Sequence, residues 1–180
     1  TQFEAKGSLT LTDGPAFNGD LLVASNQPSG LANWLTGSVD PAIRQLNAAG
    51  FSSKVSLTTK AQRFNDLELA IGRASLRGSL LRQTTDKGSS IDVDLAGDEI
   101  DLDALKALGS LVLGDPNGAS VFDERIAAKF KADRFNMAGV TANKVETAFT
   151  VSDGVLSLDT MTAGDIAGAE VHAKGQLQGT

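Results

Sequence analysis

Apolar residues recur at every second position along most of this chain, in short runs that polar residues interleave. Leu9 and Leu11 stand among Ser and Thr, and Val55 with Leu57, Leu67 with Leu69 and Ile71, and Ile91 with Val93 and Leu95 repeat the pattern. Val145, Phe149 and Val151, then Leu156 and Leu158, then Val171, Ala173 and Leu177 carry it to the end. A period of two is the signature of a strand whose neighbouring side chains point to opposite faces, one dry and one wet. Gly, Asn, Asp and Pro punctuate the runs at Asp13-Gly14-Pro15, Asn18-Gly19, Asp86-Lys87-Gly88, Asp115-Pro116-Asn117-Gly118 and Asp153-Gly154, where turns are expected. Strands so short and so frequent predict a mainly β fold: one long, curved antiparallel sheet, groove-like or resembling an open barrel.

Two segments depart from the alternation and take helical spacing, about residues 30–48 and 101–112. In the first, Leu31, Trp34 and Leu35 fall at i, i+3 and i+4. Asp40-Pro41 then supplies an N-cap and a first-turn proline, Ile43 and Leu46 face inward, and Gly50 is the expected stop. In the second, Leu102, Leu105 and Leu108 repeat every three residues after Asp101, with Gly109 or Gly114 near the end. Both are short and one-sided, so each is expected to lie on the sheet or plug an end of it, and Trp34 is expected to pack between helix and sheet.

Composition narrows the function classes. Leu, Ile, Val and Phe make up about a quarter of the 180 residues, enough for a core. A net charge of −6 disfavours phosphate backbones and anionic membrane surfaces. The absence of Cys removes disulfides, thiolate metal sites and Cys nucleophiles, and a single His rules out any site built on two imidazoles. No GxSxG, SxxK, GxxxxGK[ST] or GxGxxG motif occurs, so a non-catalytic role without cofactors or metals is the expectation. No run approaches the length of a membrane span, and the opening residues, without Met or a leader, read as a segment cut from a longer chain.

The acidic group Asp92, Asp94, Asp98, Glu99, Asp101 and Asp103 invites a metal reading, but the calcium-loop spacing of Gly and Glu is missing. Asp92 and Asp94 alternate with Ile91, Val93 and Leu95 and belong to the wet face of a strand, while Asp101 and Asp103 suit a helix N-terminus. His172, between Val171 and Ala173, shares the polar face with Glu170 and Lys174.

Three echoes suggest an internal repeat: Ala5-Lys6-Gly7-Ser8-Leu9, Leu76-Arg77-Gly78-Ser79-Leu80 and Ala173-Lys174-Gly175-Gln176-Leu177. After each of the first two come a strand and a short helix, but 71 and then 97 residues separate the glycines, which excludes a fixed-period solenoid. The stretch FNDLELAIGRASLRGSL (64–80), with IDVDLAGDEIDLDAL (91–105) and the run from Val145 to Leu177 containing DGVLSLD and AGDIAGAEVHAKGQL, resembles the AsmA-like family of bacterial envelope proteins. On that resemblance residues 1–50 are the end of a preceding repeat plus helix, 51–113 a strand repeat plus helix, and 114–180 a C-terminal strand repeat, all within one β-rich fragment.

The resemblance implies a periplasmic segment of a protein held in the inner membrane by an anchor outside these residues. It further implies a part in outer-membrane assembly or in lipid transfer between membranes. The partners implied are phospholipid acyl chains and neighbouring repeats of the same chain. Counting faces leads the same way, because two short helices cover only part of one apolar sheet face. The remainder must curl into a dry core, meet a neighbouring repeat, or hold acyl chains. The residues expected to line it are Val55, Leu57, Leu67, Leu69, Ile71, Val93, Leu95, Phe149, Val151 and Leu158. The competing reading is a structural or protein-binding β module with a dry core and no lipid.

Overall fold

The computed structural model describes residues 1–12, 14–37, 39–86, 88–113, 125–166 and 168–178. In order, the elements are β1 Gln2–Thr10, β2 Ala16–Ser25, α1 Pro28–Thr36, α2 Pro41–Arg44, β3 Ala49–Leu57, β4 Ala61–Ile71 and β5 Ala74–Thr85. Then follow β6 Gly88–Asp101, α3 Leu102–Leu113, β7 Arg125–Met137, β8 Val140–Ser152, β9 Val155–Ile166 and β10 Ala169–Gln178. The strands form one open, curved ten-stranded sheet in simple sequence order, with β1 and β10 at its edges. The 50/51 repeat boundary read from the sequence falls inside β3.

Every adjacent pair is antiparallel except β6 with β7, which run parallel from Ser90↔Arg125 to Asp101↔Asn136. The all-antiparallel expectation is corrected there. A parallel neighbour requires the chain to return the full length of the strand, which takes a crossover of a dozen or more residues. The segment holding α3 and residues 114–124 is long enough for that return, whereas α1 and α2 deliver the chain back to the same end, Ser25 opposite Ala49, and β3 pairs antiparallel with β2. Two hairpin-plus-helix units, β1-β2-α1 and β5-β6-α3, thus follow the first two sequence echoes and diverge in how they return.

The local chemistry of the turns and helices is mostly as the residues dictate. Asp153 and Gly154 both take positive φ (53° and 73°) in a two-residue hairpin loop between Ser152 and Val155, the geometry that matches strand twist. Ala138 and Gly139 do the same (49° and 79°), at a turn the sequence reading missed because Ala seldom accepts that conformation. Asn18-Gly19 is no turn: both lie inside β2, with Gly19 directly opposite Gly7. A Cβ at Gly19 would come within 2.2 Å of the Lys6 carbonyl oxygen, so glycine is there because the strands approach too closely for any side chain. The Asp115–Gly118 turn and Gly114 lie outside the described residues.

The first helical segment is two helices. Gly37, in the left-handed region at φ 71°, ends α1 and donates its N–H to the Asn33 carbonyl. Asp40 caps α2 by accepting from the Ala42 N–H at 2.8 Å, with Pro41 in the first turn, but α2 stops at Arg44, and Gly50 belongs to β3. Trp34 does not pack on the sheet; it is 80% exposed. Among the described residues of α1, Pro28 and Ala32 are buried, and two residues beyond Ala32, at about 100° each, Trp34 points away from it. Small side chains at Ala32 and Ala107 let α1 and α3 close around Ile43 of α2.

The main core lies where α3 covers the sheet. Leu76, Leu95, Ile100 and Ala104 are almost fully buried, with Leu67, Ile71, Ala128, Phe130 and Ala132. Leu102, Leu105 and Leu108, the stripe read from the sequence, pack against this cluster. Asp101 accepts from the Ala104 N–H at 2.9 Å and so starts α3.

Candidate functional site

Cross-strand register places all ten sequence-predicted lining residues on one face. Val55 lies opposite Phe64, Phe64 opposite Leu80, Leu80 opposite Val93, Val93 opposite Ala128, Ala128 opposite Phe149 and Phe149 opposite Leu158. Leu57 and Val151 lie one step to one side of this row on their strands, and Leu67, Leu69, Ile71 and Leu95 lie to the other. Directly opposed residues share a face, so the ten form one surface that runs through β3 to β9.

Strict alternation would break this surface in three places, and the backbone repairs each. Between Phe64 and Leu67 the apolar spacing is three, and an extra residue, Asp66 at φ 49°, bulges out of β4 and restores the phase. Between Leu158 and Met161 a bulge in β9 does the same. Across β6 to β9 the inward positions jump by three in step: Gly97 to Ile100, Ala132 to Phe135, Val145 back to Ala142, and Ala163 to Ile166. Register is kept through the jump, so these strands turn over together and Ile100, Phe135, Ala142 and Ile166 stay on the packed side.

The ten residues are not equally covered. Val55, Leu67, Ile71 and Leu95 are buried, whereas Leu57, Leu69, Val93, Phe149, Val151 and Leu158 are half-buried. Leu69, Val93 and Phe149 touch the main core, Phe149 through the Phe130 ring at 6.1 Å between centroids. The helices therefore seal one end of the face and leave the rest open. At the open end sit Gln62 and Arg82, paired across β4 and β5, which put polar groups beside Leu57 and Ile91; the Gln62 Oε1 is buried with no hydrogen-bond partner. Towards the edges the same face carries Phe3 and Leu9 on β1 and Leu177 on β10, each about two-thirds exposed.

The opposite face is polar. Its cross-strand ion pairs, Lys54 with Asp66 at 2.8 Å, Arg77 with Glu68 at 3.2 Å and Lys131 with Glu146 at 3.5 Å, are well exposed and contribute little each. Two concavities of about 350 Å³ each open on this face. The lining of one includes Asn65, Ser79, Asp92, Asp94, Lys129 and Thr150, and that of the other Glu4, Lys6, Asp20, Lys54 and Asp66. Both linings mix these charged and hydroxylic side chains with apolar residues, Leu80, Val93 and Phe149 in the first and Leu21 and Leu22 in the second.

The acidic residues fall where their positions in strand and helix put them. Asp92 faces Arg125 at 3.5 Å, Glu99 holds Arg134 at 2.6 Å and the Asn136 amide at 2.8 Å, and Asp101 caps α3. Asp98 accepts the Ser75 N–H and the Glu99 N–H, both at 2.9 Å. The Ser75 bond foremost, against a smaller opposing effect of burial, holds its carboxyl below the usual carboxylate range. A depressed pKa means stability that is present above the ordinary carboxylate range and is lost as pH falls through the folded value. Asp98→Ala is therefore expected to lower the melting temperature at neutral pH, with the gap to wild type closing towards pH 2. A gap that stays constant across a melting series from pH 7 to pH 2 would refute this role.

His172 is on the polar face, two-thirds exposed, with Nε2 3.0 Å from Glu170 Oε1. Thermal melts of His172→Ala are expected to superimpose on wild type; a loss of several degrees would contradict the exposed setting.

Fold and face together define a class: an open, almost wholly antiparallel sheet with one apolar face, sealed by helices at one end. No family model matches the chain, and neither a curated protein nor a solved structure is significantly similar to it.

Proposed function

We propose that this chain is a non-catalytic periplasmic segment of an AsmA-like envelope protein, one that shields phospholipid acyl chains on its apolar sheet face. Outer-membrane assembly or lipid transfer between membranes is the process it serves. The observation that carries the reading is the partial cover of the face: the apolar surface continues through β3 to β9, but the helices seal only the end around Ile100. An acyl chain laid along Leu57, Val93, Phe149, Val151 and Leu158 recovers roughly 25 cal/mol for each Å² it removes from water. Neighbouring repeats of the same chain would continue the surface at the sheet edges, and the membrane anchor belongs outside this segment.

The protein purified from cells is expected to carry phospholipid, detected by organic extraction and by native mass spectrometry. Protein that arrives lipid-free, and takes up no fluorescent phospholipid from vesicles, would overturn the proposal. A structural or protein-binding β module is the second reading, favoured by the near-complete burial of Leu76, Leu95 and Ile100, which form a dry core without lipid.

A further inference from the structure

The open end of the apolar face is not uniform. One cross-strand row there passes through all ten strands, from Leu9 on β1 to Leu177 on β10, and Gln62 and Arg82, side by side between Leu57 and Ile91, are its only polar members. The next row inward, from Gly7 to Gly175, holds apolar residues and glycine alone, and no Asp or Glu stands in either row. Both polar residues are half-buried, and the Gln62 Oε1 is enclosed with no hydrogen-bond partner among the described residues. A cation and an unmatched amide set into an apolar surface cost stability, so packing does not account for them.

We infer that Gln62 and Arg82 form a recognition site for the phosphate of a lipid headgroup, which they hold at the open end while the acyl chains run inward over Leu80, Val93 and Phe149. The assignment rests on the acyl-chain reading proposed above, and adds to it the headgroup chemistry and the orientation. Charge complementarity selects the ligand. A guanidinium is a fork of N–H donors that matches two oxygens of a phosphate or a carboxylate. The second side chain separates those two anions. A half-turn of the Gln62 amide about its soft terminal torsion brings Nε2 to the place where Oε1 has no partner, and a donor there needs an acceptor. A phosphate has oxygens for both side chains, whereas a carboxylate gripped by the Arg82 fork leaves Gln62 unmatched. One step outward on the same face the Thr84 and Ser89 hydroxyls, 3.3 Å apart, suit the polar remainder of a headgroup beside water. The inward row has no polar side chain to compete, which fixes the direction: phosphate at the open end, chains towards the sealed one.

Titration calorimetry of the full chain, with each amphiphile below its micelle concentration, is expected to show dodecyl phosphate binding about tenfold or more tighter than dodecyl maltoside, dodecanoate or inorganic phosphate. Arg82→Gln should bring dodecyl phosphate down to the level of dodecyl maltoside and leave dodecyl maltoside unchanged. Arg82→Lys, which keeps the charge but not the fork, should give a loss between the two, and serves if the glutamine variant does not fold by circular dichroism. Gln62→Leu should weaken dodecyl phosphate alone. Equal affinity of wild type for dodecyl phosphate and dodecyl maltoside, or a preference that survives the Arg82 variants, would overturn the headgroup site and leave the acyl-chain reading standing. Inorganic phosphate binding as tightly as dodecyl phosphate would overturn the lipid assignment by making free phosphate the ligand, and dodecanoate binding as tightly would overturn the choice of phosphate. If no alkyl probe binds, the acyl-chain reading falls and the headgroup site falls with it.

Discussion

Leu95→Asp is expected to abolish folding, whereas Val93→Asp, two residues away on the same strand and the same face, is expected to leave a folded protein that has lost its lipid. Leu95 is 2% exposed beneath α3 and packs with Leu76, Ile100 and Phe130. A carboxylate there has no partner, and the unpaired charge added to the lost packing costs more than about 4 kcal/mol, a large share of a domain's stability. Val93 touches the same cluster only from its rim and stays half-exposed, so its new carboxylate reaches water and the loss is about 1–2 kcal/mol. Urea denaturation gives both numbers, and phospholipid extraction of Val93→Asp gives the functional one. If Val93→Asp unfolds as completely as Leu95→Asp, the open part of the face is dry core and the second reading prevails. If it folds and retains lipid, the acyl chains lie elsewhere.

Gly97→Ala is expected to be among the most damaging methyl groups that can be added to the sheet, alongside one at Gly78, whose Cβ would run into the Asp94 carbonyl oxygen. A Cβ at this position in β6 would sit 2.2 Å from the Ser75 carbonyl oxygen, 2.6 Å from Leu76 Cδ2 and 3.1 Å from Leu76 Cα. Two of those atoms are backbone of the neighbouring central strand and the third belongs to a side chain that is 1% exposed, so none can yield cheaply. The expected cost is about 3 kcal/mol, at the upper end for overpacking, because the β5–β6 pair must part. Gly175→Ala in β10 is the control: its Cβ would meet nothing within 4 Å, and the restricted unfolded chain should make that variant equal to or slightly more stable than wild type. A Gly97→Ala denaturation midpoint matching wild type would show that the two strands do not approach as closely as described.

How much of this was legible in the residues depends on the range of the physics involved. Alternation is local: the backbone itself sends successive strand side chains to opposite faces. Hence Val55, Leu57, Leu67, Leu69, Ile71, Val93, Leu95, Phe149, Val151 and Leu158 could be assigned to one face before any fold was in view. Capping is local too, and Asp40, Pro41 and the Asp153-Gly154 turn behave as their side chains require. Spacings of three, such as Phe64 to Leu67, already carried the signal of a bulge, but it could not be interpreted without the neighbouring strand whose register the bulge preserves. Asn18-Gly19 misled for the same reason. A glycine that permits a tight turn and one that permits close contact between strands look identical until Gly7 is seen opposite.

The sequence by itself therefore determined the mainly β character, the sidedness of the sheet and the membership of the apolar face, because each follows from interactions within a few residues. Only the tertiary structure decided three further properties: the parallel pairing of β6 with β7, the exposure of Trp34, and which stretch of the face is sealed. Each depends on where α1, α2 and α3 come to rest. That position is set by contacts such as Ala32, Ile43 and Ala107 meeting across elements far apart in the chain, and no local period encodes it.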